Sequence, residues 1–160
     1  MGYFLPMPLD RFDRRILALL QQDAGLPIAE LADKVGLSPS PCWRRVQKLE
    51  AEGYIRARVA LLDARKMNLG VTVFAAIRTN QHNAKWLEAF SKAVVGIPEI
   101  LEVYRMSGQI DYMLRIVVPD IESYDHVYRR LIGAIELYDL SSTFAMEVLK
   151  STTVLPVDYA

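Results

Sequence analysis

The chain has 160 residues, of which 52% are hydrophobic and 24% charged, and its formal net charge is zero. That composition supports a folded core and excludes a disordered chain, and no apolar run approaches the ~18 residues that a membrane span requires. One cysteine cannot form an internal disulfide, and with only two histidines it argues against a structural zinc site. Residues 1–8 have no basic start and contain two prolines, which is unlike a secretory signal, so we expect a cytoplasmic protein.

The charges are distributed unevenly along the chain. Residues 1–66 carry 11 Lys and Arg against 8 Asp and Glu, whereas residues 67–160 carry 8 against 11. A basic first half followed by an acidic second half suggests two functions in one chain, and the basic half is compatible with a nucleic-acid partner.

Three helices are predicted in the first half. Apolar residues recur at helical spacing over residues 9–22, where Asp10 suits the N-cap of the helix, and a second, shorter helix is predicted over residues 28–35. Gly36 follows it, at a position where a left-handed residue ends many helices. Ser38 and Pro39 then suit the N-cap and first position of a third helix that runs to about Glu52. The tight glycine-containing turn between the second and third helices is typical of a helix-turn-helix.

An extended segment follows the third helix. Residues 54–62 alternate apolar and basic side chains over part of their length, so we predict a strand that forms a short wing or a linker ribbon. Gly70 marks a boundary. The predicted organisation is therefore a DNA-binding domain over residues 1–62, a linker over 63–70 and a second domain over 71–160.

The second half alternates strands and helices. The predicted elements, in chain order, are strand 71–78, helix 84–95, strands 100–106 and 111–118 joined by a short turn, helix 121–135 and strand 141–150. The order β-α-β-β-α-β is that of the split ferredoxin-like motif, in which helices cover one face of an antiparallel sheet. We therefore predict an α+β protein of two domains, and a homodimer that buries the uncovered sheet face.

The outward side of the third helix carries residue types that suit double-stranded DNA. Cys42, Val46 and Leu49 cluster on its inner side at about 100° per residue, as a core face requires. On the other side and just beyond the helix, we predict contacts to bases or phosphates from Ser38, Ser40, Pro41, Trp43, Arg44, Arg45, Gln47, Lys48, Arg56 and Arg58. Of these, Ser40, Pro41, Arg44 and Gln47 are expected near the groove floor, and Arg45, Lys48, Arg56 and Arg58 nearer phosphates. On spacing alone, a solvated charged face on an ordinary three-helix bundle remains an alternative.

A glycine turn in the second half has the chemistry of an amino-acid site. Gly108 would let backbone N–H groups approach a carboxylate, and Asp111 could accept hydrogen bonds from an ammonium group. A hairpin turn with a solvated Asp111 is the equally weighted alternative. His82 and His126 lack acidic or cysteine partners in sequence and are interpreted as surface residues. With no phosphate loop, nucleophile elbow or zinc-protease motif, we expect no enzyme activity, metal or cofactor.

The order and spacing of several short motifs give the sequence a specific resemblance. The chain resembles the Lrp/AsnC family of feast/famine transcription regulators through LDRFDRRIL at 9–17, ELA at 30–32, VGLSPSPC at 35–42, RVQKLE at 45–50, GYI at 53–55, PEI at 98–100, the glycine and Asp-Tyr of 108–112, and TTVLP at 152–156. These matches span nearly the whole chain. Trp43 is bulky where the family often has a smaller residue, which leaves its role open.

This resemblance implies a winged helix-turn-helix followed by a RAM-type ligand-sensing domain. It implies dimers through the sheet faces, assembly to tetramers or octamers on bent or wrapped DNA, and an amino-acid effector bound between dimers. The implied effector residues are Tyr104, Met106, Ser107, Gly108, Gln109 and Asp111, with Ser142, Thr143 and Thr152 from neighbouring chain segments. Two alternatives remain: an architectural DNA-binding protein without effector, and a small-molecule-binding ferredoxin-like module whose helical front end docks a protein.

Overall fold

The structure of the protein, a computed structural model, describes residues 9–160. Residues 1–8, and with them the expectation about a secretory signal, lie outside the described residues. The chain forms two compact units, one made of the chain up to Leu61 together with Lys150–Ala160 and the other of Leu62–Leu149. Within residues 9–160, no helix is long and apolar enough to cross a membrane.

The first unit contains the three predicted helices. They are α1 (Arg11–Gln22), α2 (Ile28–Val35) and α3 (Pro39–Ala51). Gly36 adopts a left-handed conformation (φ 77°) directly after α2, as predicted. The inner faces of the helices bury one apolar cluster that includes Ile16, Leu31, Val35, Cys42, Val46 and Leu49.

The predicted wing strand over residues 54–62 is wrong. Within the described chain these residues form no strand, and the segment is held instead by isolated hydrogen bonds. The Ile55 N–H donates to the Leu49 carbonyl at 3.2 Å, and the Arg58 guanidinium donates to the Ala24 carbonyl at 3.2 Å. Alternating side chains favour an extended backbone, but a strand also needs a neighbouring strand to accept its hydrogen bonds.

The C-terminal segment belongs to the first unit, which corrects the predicted domain boundary of 71–160. Lys150–Ala160 returns to α1 and ends in a short 3₁₀ helix. The Gln21 side chain binds both backbone groups of Leu155: its Nε2 donates to the carbonyl at 3.0 Å, and its Oε1 accepts from the N–H at 2.6 Å. Arg14 donates from Nε to the Ala160 carbonyl oxygen at 2.8 Å. Such side-chain capture of a backbone is not visible in hydrophobic periodicity.

The second unit is a four-stranded antiparallel sheet with two helices. Its elements are β1 (Val71–Arg78), α4 (Ala84–Val95), β2 (Ile100–Arg105), β3 (Tyr112–Val118), α5 (Ile121–Ala134) and β4 (Asp139–Phe144), with strand order β2-β3-β1-β4. The ferredoxin-like order is confirmed. The last strand, predicted over 141–150, in fact ends at Phe144, because Phe144 already pairs with Val73 and β1 begins only two residues earlier.

The hydrophobic core of this unit lies on one face of the sheet. Val73, Ala75 and Ile77 of β1 are fully buried against α4 and α5, together with Leu114 and Ile116 of β3. Because side chains alternate along a strand, the neighbouring positions point to the other face. We call this other face the open face; its members include Thr72, Phe74, Ala76, Glu102, Tyr104, Met113, Arg115, Ser141 and Thr143.

Replacement of Gln21 by Ala should release the C-terminal segment from α1. Two hydrogen bonds to Leu155 are lost, so we expect the free energy of unfolding to fall by roughly 1–2 kcal/mol and limited proteolysis within residues 150–160 to accelerate. Gln22→Ala is the matched control, since Gln22 is exposed on the same helix. Equal proteolysis of the two variants would show that Gln21 does not hold the segment.

Candidate functional site

The exposed side of α3 presents most of the residues predicted to bind DNA. Ser40, Trp43, Arg44, Gln47 and Lys48 are exposed, and 54% of the Trp43 surface is accessible. Ser38 lies at the N-cap and is also exposed, although its side chain makes no capping hydrogen bond there. Cys42, Val46 and Leu49 are buried on the opposite side, as predicted. Burial raises the pKa of the Cys42 thiol, which makes this cysteine a core residue rather than a reactive one.

The predicted DNA-binding cations differ in their intramolecular partners. Among the described residues, Arg44 and Arg56 have no hydrogen-bond or ion-pair partner, so their guanidinium groups are available. Lys48 lies 3.8 Å from the Glu52 carboxylate, a weak exposed pair. The Arg58 guanidinium lies 2.9 Å from the Glu50 carboxylate and also donates a hydrogen bond to the Ala24 carbonyl.

Glu50 is a site residue that the sequence interpretation missed. It accepts hydrogen bonds from Arg58 and, at 3.1 Å, from the Gln47 amide, so it orients two of the predicted DNA-binding side chains. The spacing of three residues between Gln47 and Glu50 on one helix is the only sequence signal for this contact.

Arg45 is engaged within the fold. Its Nη1 lies 2.7 Å from Asp10 Oδ2 and 2.8 Å from Asp13 Oδ1, which joins α3 to the first turn of α1. The hydrogen bond to Asp13 raises the pKa of the Arg45 guanidinium. Arg45 therefore positions α3 against α1, a role that the sequence interpretation did not include.

The same carboxylates cap α1. The Asp10 side chain accepts hydrogen bonds from the Phe12 and Asp13 N–H groups at 2.8 and 2.9 Å, as its predicted N-cap position requires. Burial by itself would raise the pKa of Asp10, but these bonds and that of Arg45 outweigh it and lower the pKa. Asp13 is only 8% exposed, and Arg45 is its ion-pair partner.

The predicted effector turn lies at one end of the sheet between β2 and β3. Met106, Ser107, Gly108 and Gln109 are exposed, and Gly108 has a positive φ of 120°. Asp111 is half-buried and anchors the turn to β1. Its N–H donates to the Ile77 carbonyl at 2.9 Å, and its Oδ2 accepts from the Thr79 N–H at 2.8 Å.

The other predicted effector residues do not converge on this turn within the chain. Ser142 lies on the helix-covered face, where it shares a hydrogen bond with Tyr124. Thr143 is on the open face of β4, at the opposite edge of the sheet from Tyr104 on β2. Thr152 belongs to the first unit, where its hydroxyl accepts from the Val154 N–H at 3.1 Å.

The histidines take no part in a metal centre in the described part of the chain. Within residues 9–160, no group of three or more His, Cys, Asp and Glu side chains is arranged to hold a metal ion. His82 and His126 are both exposed.

Two family models match successive parts of the chain. Residues 9–56 match a winged helix-turn-helix DNA-binding model, and residues 72–155 match the Lrp/AsnC ligand binding domain. Together they span the three helices and the ferredoxin-like sheet.

Known proteins resemble the chain over nearly its full length. The glutamate uptake regulatory protein of Zymomonas mobilis is 48% identical over 149 residues, which cover 93% of this chain and 91% of the relative. A crystal structure of an AsnC family transcriptional regulator from Agrobacterium tumefaciens has a TM-score of 0.92 at 58% identity and covers 94% of this chain and 99% of that one. A transcriptional regulator from Neisseria meningitidis, solved as a complex with L-Met, has a TM-score of 0.89 at 34% identity and covers 94% and 98%.

The helix-turn-helix and the ferredoxin-like domain thus define a DNA-binding transcriptional regulator. The chain belongs to the Lrp/AsnC family. This confirms the resemblance noted in the sequence and the interpretation as a regulator rather than an enzyme.

Arg45 and its neighbour Arg44 should differ sharply in their effect on stability. Arg45→Met leaves the Asp13 carboxylate without its partner, so we expect the free energy of unfolding to fall by roughly 1–3 kcal/mol. Arg44→Met is the same substitution at a position that has no ion-pair partner within residues 9–160. It should change the free energy of unfolding by less than about 0.5 kcal/mol. Chemical denaturation of both variants measures this, and equal stabilities would contradict the positioning role of Arg45.

Proposed function

We propose that this protein is a cytoplasmic, sequence-specific regulator of amino-acid metabolism, that it works as a homo-oligomer, and that an amino-acid effector modulates it. The exposed side of α3 enters the major groove, and the effector binds at the turn between β2 and β3. The observation that carries the proposal is the difference between the two α3 arginines: Arg45 is held by Asp10 and Asp13, whereas Arg44 is exposed and has no hydrogen-bond or ion-pair partner within residues 9–160.

Arg44 is the residue best placed to read a base. It lies in the first half of α3, which is the part of a recognition helix that reaches base edges, and a free guanidinium can bind guanine through two hydrogen bonds. Ser40, Pro41 and Gln47 accompany it near the groove floor, with Gln47 oriented by Glu50. Ser38, Trp43, Lys48, Arg56 and Arg58 flank this set and suit phosphate or backbone contacts.

Arg44→Ala should weaken specific DNA binding by roughly 1–3 kcal/mol, because a contact to a base is lost. Fluorescence anisotropy with a specific and a scrambled duplex measures both affinities. Lys85→Ala, in the exposed first turn of α4 on the second unit, serves as control and should match the parent. If Arg44→Ala lowers both affinities equally, Arg44 contacts phosphate and does not read the sequence.

The turn at Gly108 provides the groups that an amino acid requires. Its exposed backbone suits a carboxylate, and Asp111 uses only its Oδ2 on Thr79, which leaves Oδ1 for an ammonium group. Tyr104, Met106, Ser107 and Gln109 supply neighbouring contacts. The L-Met complex of the Neisseria regulator supports an amino-acid ligand for this fold. Because Ser142, Thr143 and Thr152 lie elsewhere in the chain, any part that they play requires a site shared between subunits.

Asp111→Asn tests this site without breaking the turn. An asparagine oxygen can still accept from the Thr79 N–H, but the charge that would bind an ammonium group is gone. We expect the DNA affinity to stay within about twofold of the parent and the response to the effector to disappear. Asp125→Asn, an exposed change on α5, is the control. A normal response in Asp111→Asn would remove Asp111 from the effector site.

The open face supports assembly through the sheet. Phe74 lies at its centre and is 39% exposed, with Ala76 and Met113 beside it, while both helices cover the other face. Burying such a face against a second copy is the usual solution for a sheet of this kind. We propose that dimers formed in this way gather into tetramers or octamers, and that an effector preferring one assembly shifts the population toward it.

A gel-shift titration on the DNA upstream of the protein's own gene, with each amino acid added in turn, tests the whole proposal. We expect a specific shift that one amino acid alters. A specific shift that no amino acid alters would instead indicate an architectural DNA-binding protein. The absence of any specific shift on that fragment and on genomic DNA would contradict the proposed DNA recognition.

A further inference from the structure

Two rows of side chains cross the open face. Read from β2 to β4, the first row is Glu102, Arg115, Phe74 and Thr143, and the second is Tyr104, Met113, Ala76 and Ser141. The first row places one carboxylate and one guanidinium beside the central phenylalanine. Every other member of the two rows is uncharged, so this pair is the charged feature that a partner covering these rows must accommodate.

The charged pair is bonded within the chain. Arg115 Nη2 lies 2.6 Å from Glu102 Oε1, and the Tyr104 hydroxyl donates to Glu102 Oε2 at 2.8 Å. The hydrogen bonds from Arg115 and Tyr104 lower the pKa of Glu102 despite its partial burial. About a third of each charged side chain remains exposed to solvent, 32% for Arg115 and 38% for Glu102. A surface packed over the open face would exclude water from both side chains.

We infer that Glu102, Arg115 and Tyr104 are the polar determinant that makes two copies of this chain pair in one arrangement through the open face. The inference rests on the sheet-face dimer proposed above and names the residues that specify it. A bonded, internally neutral cluster tolerates burial, whereas an unpaired charge in an apolar interface does not. Buried polar groups can in this way fix register at the expense of some affinity.

A second copy of this chain meets the requirement for charge balance. In an isologous interface each copy presents the same cluster, so the two faces together bury no net charge. Arg78 and Asp139, which are opposite one another where β1 and β4 meet, keep the end of the face balanced as well. A partner surface carrying an excess of either sign would bury that charge without compensation, because Glu102 and Arg115 already neutralise each other.

Dimer dissociation constants of full-length variants test this inference. Glu102→Gln and Arg115→Gln should each raise the Kd about 100-fold or more, since each strands the opposite charge twice per dimer. The double variant Glu102→Gln/Arg115→Gln should return to within roughly tenfold of the parent. Tyr104→Phe removes one donor without changing charge and should raise the Kd about fivefold to tenfold. Glu88→Gln, which breaks an exposed pair with Lys92 on α4, should leave the Kd unchanged.

Sedimentation equilibrium gives each Kd, and circular dichroism confirms that each variant is folded. Single variants that pair like the parent, or a double variant as weak as the two singles combined, would overturn the inference. Phe74→Asp separates this failure from failure of the dimer itself. If Phe74→Asp also pairs like the parent, the chain dimerises through another surface and both proposals fail; if only Phe74→Asp dissociates, the dimer stands and the polar determinant does not.

Discussion

Both helices of the second unit pack on the same face of its sheet, and the opposite face is left for another surface to cover. Val73, Ala75 and Ile77 are buried in the core on the helix side, whereas Phe74 on the opposite face is 39% exposed. In the dimer that we propose, two such sheets pair through this face and two DNA-binding units belong to one particle. Such a dimer would match two half-sites of DNA, which a single recognition helix cannot do.

Within the first unit, a network of carboxylates decides which cations are available to DNA. Asp10 and Asp13 hold Arg45, and Glu50 holds Arg58 and Gln47. A base-reading helix must be held rigidly, because a poorly fixed guanidinium loses the geometry that distinguishes bases. Among the described residues Arg44 has no such partner although its neighbour Arg45 is fixed, so the residue that we propose to read a base lies next to the one that positions the helix.

The sequence predicts the elements well where local signals agree. The helices α1 to α5 are predicted correctly from the helical spacing of their apolar residues, because the residues with this spacing are the ones that form the core. The capping residues Asp10 and Gly36 agree with that spacing. Strand ends were less predictable. The strand predicted over residues 54–62 is absent, and the predicted end of β4 was too late. Both errors arise because a strand forms only where a neighbouring strand pairs with it, and the sequence of one segment does not show how far its neighbour extends.

The candidate sites depend more strongly on tertiary contacts. The helical pattern places both Arg44 and Arg45 outside the core. It does not show that Asp10 and Asp13, more than thirty residues earlier, form ion pairs with Arg45 alone. Likewise, the return of Lys150–Ala160 to α1 rests on Gln21, a residue that periodicity treats as an ordinary polar position. The position of Ser142 on the covered face follows from strand register, which a motif does not encode.

Cross-linking at Ala76 tests most directly the claim that the open face joins two copies. Ala76 lies in the second row of this face, and the only other cysteine in the sequence, Cys42, is buried. A full-length Ala76→Cys variant treated with a short bifunctional maleimide should give a covalent dimer that still binds DNA, while the parent gives none. If the variant stays uncross-linked at concentrations where it sediments as a dimer, the open face is not the interface.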